Sequence, residues 1–470
     1  MSRKKIIIAL IVALFNQTKA QIQKYYYPTD SAVVESLNQW QQLKFGLLMH
    51  WGPYSQWGVV ESWSICSEDE DWCVRRGPFA NDYEAYKKSY EQLQHTFNPT
   101  KFDPDKWAEA AAYAGMKYVI FTTKHHDGFC MFDTKFTNYK ITDTSCPFYY
   151  NTKANVTAEI FKSFRTKGFK TGAYFSKPDW HNHDYWWPKF ATPNRCSNYD
   201  TKKYAGKWQA FEDFTYNQLN ELTTQYGKVD ILWLDGGQVR PDSTVTEEER
   251  PWIKVPYPQE INMHRIAAMA RKNQPGILMV DRSVYGYYQN YLTPEQQIPD
   301  APLNYPWETC LTMATSWSYV ANDTYKSTHQ LIHTLVDIVA KGGNLLLNIG
   351  PDEKGQWHND AYMRLKEIGN WMQQNQSCIY STTVSPPYKS DNICFTKNSK
   401  HIFAIYLAKE NEPLPEQIEI KNFVPRKNAT LKILGCGKAT YTIKNNHTYV
   451  KLPANYIKPN SHAWVLQFDN

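Results

Sequence analysis

The chain of 470 residues predicts a (β/α)8-like barrel followed by a small antiparallel β-sandwich. Three observations carry this. Short apolar runs of strand composition alternate with longer helical segments at least six times before residue 350, the signature of right-handed βαβ units around a parallel sheet. Polar and aromatic clusters recur just after those runs, where α/β barrels hold their active groups. Beyond about residue 380 the helical period stops, and only short alternating runs between polar turns remain.

Residues 1–20 read as a secretory signal peptide, with Arg3-Lys4-Lys5 as the basic start, 6–15 as the apolar core and Thr18-Lys19-Ala20 as the cleavage site. The apolar core is too short to span a bilayer, and no later stretch reads as transmembrane. The mature chain is expected to begin near Gln21 and to be exported to a periplasmic, extracellular or lysosomal compartment. The barrel is then expected over 21–380 and the sandwich over 381–470.

The barrel elements run in order. Residues 44–51 form a buried strand ending in His50, with Glu61 and Trp63 in the loop after it. Residues 66–100 are polar and aromatic and read as a long loop with some helix. Asp103 caps a helix whose first turn holds Pro104, and Gly115 stops it. Residues 118–123 form a strand that runs into Lys124-His125-His126-Asp127-Gly128. A helix over 154–167 and a strand over 170–176 come next, and a long helix over 207–226 is closed by Gly227. The stretch 229–237, V-D-I-L-W-L-D-G-G, is apolar enough to be covered on both faces and ends in Asp235 before two glycines. A helix over 259–273 leads to a strand ending in Asp281-Arg282. Residues 285–327 show no clean pattern. A helix over 328–340, a buried strand over 344–349 and a helix over 360–374 complete the barrel.

Ser385-Pro386-Pro387 marks the linker. Six strand-like runs come after it, at 402–407, 417–420, 430–434, 440–443, 448–452 and 463–468.

Composition narrows the function. Seventeen tryptophans and 33 tyrosines suit a protein that stacks on sugar rings. The formal charge of +6 falls to +2 once the four basic residues of the leader are removed, which argues against nucleic acid or an anionic membrane as partner. No G-x-G-x-x-G opens the first helix and no C-x-x-C occurs, against a dinucleotide fold and a zinc or redox pair. Among nine cysteines, Cys66–Cys73 and Cys378–Cys394 are the closest-spaced pairing candidates.

The expected strand ends carry His50, His125, His126, Tyr174, Asp235 and Arg282, with Glu295 and Glu308 in the stretch after Arg282. Two chemistries could use this set. A metal hydrolase wants two histidines at alternate strand positions plus a carboxylate. Here His125 and His126 are adjacent and on a regular strand would face opposite ways, which weakens the metal reading. Glycoside hydrolysis wants two carboxyl groups across a sugar, with polar groups for its hydroxyls and rings for its apolar faces. That fits the set.

Five stretches then bring a family into view: K-F-G-L-L-M-H-W-G-P-Y-S (44–55), Y-V-I-F-T-T-K-H-H-D-G-F-C (118–130), V-D-I-L-W-L-D-G-G (229–237), P-W-E-T-C (306–310) and V-D-I-V-A-K-G-G-N-L-L-L-N-I-G-P (336–351). Together they resemble the retaining α-L-fucosidase family from about residue 40 to 380. The resemblance implies a fucosylated oligosaccharide or glycoprotein glycan as substrate, and no metal or organic cofactor. It implies Asp235 as nucleophile and His50, His125, His126, Tyr174, Trp233 and Arg282 around the sugar, with Glu61 and Trp63 as an acidic-aromatic pair. Glu295 matches the acid/base position, with Glu308 as rival. Two alternatives stand beside it: a fucose-binding protein without catalysis, and a barrel glycosidase for a related sugar such as L-galactose or D-arabinose.

Overall fold

The computed structural model describes residues 25–470 apart from 67–69, 71–72, 193, 248, 254–256, 283–285, 411–414 and 453–461 and the side chain of Trp252. The leader expected over 1–20 lies outside the described residues. The order begins with α1 (Ser31–Gln41), β1 (Phe45–Met49), α2 (Tyr83–Glu91), α3 (Pro104–Tyr113), β2 (Tyr118–Lys124), α4 (Val156–Thr166), β3 (Lys170–Ser176) and α5 (Ala205–Gln225). It continues with β4 (Ile231–Asp235), α6 (Arg250–Ile253), α7 (Met263–Asn273), β5 (Leu278–Asp281), β6 (Glu308–Thr312), α8 (Thr328–Ala340), β7 (Asn344–Asn348) and α9 (Asn359–Asn375). Among the described residues, no helix is long and apolar enough to cross a membrane.

Strands β1–β7 form one curled parallel sheet in the order β5-β4-β3-β2-β1-β7-β6. The register sets Trp233 beside Tyr174 and Asp235 beside Ser176. Both faces of these strands are covered, and alternation sorts their side chains into two layers. Leu232 and Leu234 pack outward with the helices. Leu48, Ile120, Tyr174, Ile231 and Trp233 pack inside the curl. The same period of two carries Asp235 inward after Ile231 and Trp233, and His50 inward after Leu48.

The stretch without a sequence pattern fills the gap between β5 and β6. The Asn290 N–H donates to Met279 O at 2.9 Å on one side. On the other, Leu292 N–H donates to Pro306 O, Glu308 N–H to Leu292 O and Gln296 N–H to Cys310 O, at 3.0, 2.8 and 3.0 Å. Residues 290–296 thus act as an irregular eighth position. The strand β6, which the sequence pattern does not reveal, is buried at Glu308, Thr309, Cys310 and Thr312.

Helix α1 plugs the barrel from within, and it too is absent from the sequence pattern. Asp30 caps it, accepting from Ala32 N–H and Val33 N–H. Val33, Leu37 and Trp40 join the inner cluster, and the Trp40 ring stacks on Tyr291 at 3.9 Å.

The C-terminal part adds β8 (Thr383–Ser390), β9 (Ile393–Lys397), β10 (His401–Leu407), β11 (Gln417–Ile420), β12 (Leu431–Ile433), β13 (Gly437–Lys444), β14 (His447–Lys451) and β15 (Ala463–Asp469). They form one antiparallel sheet in the order β11-β14-β13-β12-β15-β10-β9-β8. Ile418, Ile420 and Val450 share one apolar cluster with Phe395, Leu466 and Phe468, so the two wings of the sheet close over a common core. The expected linker is corrected: Ser385-Pro386-Pro387 lies within β8. β8 is an edge strand, where a missing N–H costs no ladder bond. The expected Cys378–Cys394 pair is corrected too, since both are free buried thiols.

Trp40→Ala should cost about 3–5 kcal/mol by emptying the barrel plug, read as a drop in urea midpoint. A loss under about 1 kcal/mol would show that α1 does not support the core.

Candidate active site

The C-terminal ends of the parallel strands open into a cavity of about 640 Å³. His50, Glu61, Trp63, His125, His126, Trp233, Asp235, Arg282 and Glu295 all line it. Tyr174 stands just behind, and its hydroxyl donates to Asp235 Oδ2 at 2.6 Å. Of the residues singled out from the sequence, Glu308 alone lies wholly beneath the floor: it is fully buried and does not line the cavity.

Asp235 is delivered by β4, and the turn after it needs glycine. Gly236 has φ +94°, and a Cβ there would approach Pro178 Cδ to 2.2 Å. Arg282 comes directly after β5, and its N–H donates to Leu234 O at 3.0 Å, which sets it next to Asp235. Arg282 Nη1 lies 3.3 Å from Asp235 Oδ1. Arg282 Nη2 pairs with Glu295 Oε2. One guanidinium therefore joins both carboxyl groups. Asp235 is 14% exposed in its side chain and Glu295 38%, so one sits deep and the other near the mouth. Glu295 comes after Pro294, and Gln296 next to it takes φ +52°, a left-handed conformation rare for a non-glycine residue.

Burial alone would raise the Asp235 pKa, but Arg282, His126 and the Tyr174 hydroxyl hold it well below the usual carboxylate range. Asp235 is thus an anion at any working pH. The histidines behave oppositely. Burial lowers His50 to about 4 against its bond to Asn348, lowers His126 to about 4 against the pull of Asp235, and holds His125 well below the ordinary imidazole value. All three are neutral imidazoles at pH 7. The 3.7 Å approach of His126 to Asp235 is then a contact of a neutral ring, and Arg282 is the cation that matters.

The expectation that His125 and His126 face opposite ways is corrected. The β2–β3 register shifts between Thr122 and Lys124, and the strand ends before the histidines. A bulge re-aims the residues after it, so both rings line the cavity. His125 Nδ1 meets Ser62 Oγ at 2.5 Å, and His50 Nδ1 meets Asn348 Oδ1 at 2.8 Å. Ligand atoms of His125, His126 and Asp235 fall within 4.8 Å of one another, a spacing that a metal could span. Arg282 already neutralises that carboxylate, and a second cation there would meet its charge.

Glu61 is buried, with φ +23°, and accepts from Ser318 N–H at 2.8 Å. Burial pushes its carboxyl up to about 7. Trp63 packs edge-on against His126 at 5.1 Å, and the Arg195 guanidinium lies 4.7 Å over its ring. Arg195, Gln238 and Trp317 also line the cavity, and sequence reasoning missed them. They come from loops without periodicity, and only position in space marks them. Trp317 lies 5.2 Å from His50.

Glu308 accepts from the Tyr118 hydroxyl at 2.6 Å and from Trp233 Nε1 at 3.2 Å. Trp233 in turn stacks on Tyr174 at 5.3 Å. Glu308 thus sets the indole that floors the pocket.

A deep anionic carboxylate, a second carboxyl at the mouth, neutral imidazoles and flat rings around one cavity at the strand ends define a barrel glycoside hydrolase. The comparisons agree. The family model described as alpha-L-fucosidase matches residues 12–377, and the chain belongs to that family. It is 27% identical over 407 residues to the alpha-L-fucosidase of Dictyostelium discoideum, covering 83% of this chain and 81% of that one. Alpha-L-fucosidase isoenzyme 1 from Paenibacillus thiaminolyticus superposes with a TM-score of 0.73 at 28% identity, over 93% of this chain and 99% of that one. The Thermotoga maritima alpha-fucosidase, solved with a mechanism based inhibitor, gives 0.71 at 25% identity, over 95% and 100%.

Burial raises the Glu308 carboxyl to about 7 against its two hydrogen bonds. The folded state therefore holds this proton more firmly than the unfolded chain. The stabilisation is fully present below the unfolded pKa of about 4.3 and fades as pH rises through about 7. Glu308→Gln should flatten the fall in stability between pH 5 and 8 by up to about 3 kcal/mol, read by urea titration at each pH. An unchanged slope would mean that Glu308 is already ionised in the fold.

Proposed function

We propose that this chain releases terminal α-L-fucose from glycans by double displacement, with Asp235 as nucleophile and Glu295 as acid/base. The observation that carries the assignment is the shared Arg282 guanidinium, with Asp235 on one nitrogen and Glu295 on the other. A single bridging cation suits a retaining pair, about 5–5.5 Å apart, better than an inverting pair that must leave room for water. Asp235, kept anionic, attacks the anomeric carbon. Glu295 delivers a proton to the leaving oxygen. Ester formation then consumes the Asp235 charge and leaves Arg282 to Glu295 alone, which favours the ionised base that activates water in the second step.

Around the sugar, the neutral rings of His50, His125 and His126 offer donors and acceptors to hydroxyls. Trp233, Trp317 and Leu48 supply apolar wall for a deoxy sugar. Glu61 is the other carboxyl on the cavity wall. It does not pair with Arg282 among the described contacts, and one oxygen is engaged by Ser318, so we assign it to a sugar hydroxyl. Glu308 is assigned a supporting role. The leader over 1–20 supports export with cleavage after Ala20, checked by N-terminal sequencing of secreted protein, where a first residue far from Gln21 would contradict it.

Asp235→Ala should lower kcat on an aryl α-L-fucoside by at least about 10⁴-fold. Azide should restore part of it and give a fucosyl azide of inverted configuration. Rescue with retained configuration would reverse the roles. Glu295→Ala should lower kcat/KM by about 10²-fold or more on substrates with poor leaving groups and far less on activated aryl fucosides. If Glu61→Gln or Glu308→Gln shows that pattern instead, the acid/base is misassigned.

A further inference from the structure

Glu295 sits on a stretch with no helix or regular strand of its own, from 287 to 305. Its carboxyl is 38% exposed in the side chain, so packing alone does not fix it. The middle of the stretch is tied by main-chain bonds to β5 and β6. The segment that precedes α1 reaches it as well, at Tyr287, at Asn290 and at Asn304-Tyr305. The Tyr25 hydroxyl donates to the carbonyl of Asn290, and the Tyr25 ring stacks on Tyr305 at 5.7 Å. The Tyr27 hydroxyl donates to the carbonyl of Asn304 at 2.5 Å. Tyr25 and Tyr27 brace each other edge to face at 4.8 Å, and Thr29 Oγ1 meets the Tyr287 hydroxyl at 3.1 Å.

Two side chains just ahead of α1 thus bridge the stretch: Tyr25 joins Asn290, where the tied middle begins, to Tyr305 at the far end, and Tyr27 adds a bond at Asn304. The strap has a fixed anchor, because α1 is buried in the barrel through Val33, Leu37 and Trp40. Nothing in these contacts touches the cavity, so the strap has no role in gripping sugar. What it does is limit how far the ends of the stretch can separate, and hence how far Glu295 can drift from Arg282. Proton transfer is sensitive to such drift, since a misplacement of about 1 Å can cost on the order of 10²-fold in rate.

We propose that Tyr25 and Tyr27 are positioning residues for the proton-transfer step, acting through the ends of the 287–305 stretch to hold Glu295 at the mouth of the cavity. The proposal rests on the reading of Glu295 as the acid/base. For the first transfer step it predicts a loss confined to leaving groups that need protonation. A residue that only stabilises the fold would lower all substrates alike.

The test uses the full chain and compares kcat/KM, which reports only the first transfer step, on phenyl and 4-nitrophenyl α-L-fucosides for three variants. Tyr25→Ala/Tyr27→Ala should lose about tenfold on the phenyl substrate and under about twofold on the 4-nitrophenyl one. Tyr25→Phe, which keeps the stack on Tyr305 and drops one hydroxyl, should fall between it and the native chain and serves if the double variant does not fold. Glu295→Ala is run alongside. Leaving-group dependence in Glu295→Ala but not in the tyrosine variants overturns the strap while sparing the acid/base. Its absence in Glu295→Ala itself overturns both. Equal losses on the two substrates in the tyrosine variants mean a structural role only and also overturn the proposal.

Discussion

One half-buried cation organises this site. Arg282 stands between a deep carboxylate and a shallow one, and its charge keeps Asp235 ionised where burial alone would protonate it. That charge is the largest of the influences that hold this carboxyl ionised, ahead of His126 and the Tyr174 hydroxyl. The guanidinium also stands 5.5 Å over the Trp233 ring, so the same group fixes charge and contacts the apolar floor. An ammonium on a flexible stem would not present two nitrogens in one plane.

The fold supplies this arrangement through simple alternation. Strands covered on both faces send every second side chain into the barrel, and β4 spends its last inward position on Asp235. The outward positions at the same level pair among themselves, Lys177 with Asp281 and Lys124 with Asp179, all buried. The charges flanking the site are therefore matched locally, and Arg282 is left to the two carboxyl groups of the cavity. The barrel closes through an irregular stretch, and that stretch brings the second carboxyl. Closure and placement of the second carboxyl are in this way one structural problem, solved by 290–296 with ties on both sides.

Much of this was legible in the sequence because it depends on local pattern. The parallel strands through Asp235, the helices capped by Asp103 and stopped by glycine, and the all-β tail come from periodicity and turn chemistry. The site was read as a set of strand ends, and the structure brings that set into one cavity or, for Tyr174 and Glu308, directly behind and beneath it. The features that escaped depend on tertiary context. β6 carries a carboxylate and only five residues, so it does not look like a core strand until Tyr118 and Trp233 are seen to satisfy Glu308. β8 contains two prolines and passes for a linker, because its place at a sheet edge is decided by partners far along the chain. The shared orientation of His125 and His126 follows a register shift at the end of β2, after which the strand stops. Helix α1 was missed because its apolar face answers to the inside of a barrel that no local window reveals.

The proposed mechanism turns on Asp235, held ionised by Arg282, forming the covalent bond to the sugar. The most direct measurement is mass spectrometry of peptides after inactivation with 2-deoxy-2-fluoro-α-L-fucosyl fluoride, whose fluorine slows breakdown of the glycosyl-enzyme. A single fluorofucosyl adduct is expected on the peptide spanning 229–237, with fragmentation placing it on Asp235. An adduct on Glu61, Glu295 or Glu308, or turnover of the reagent with no adduct and an inverted first product, would contradict it.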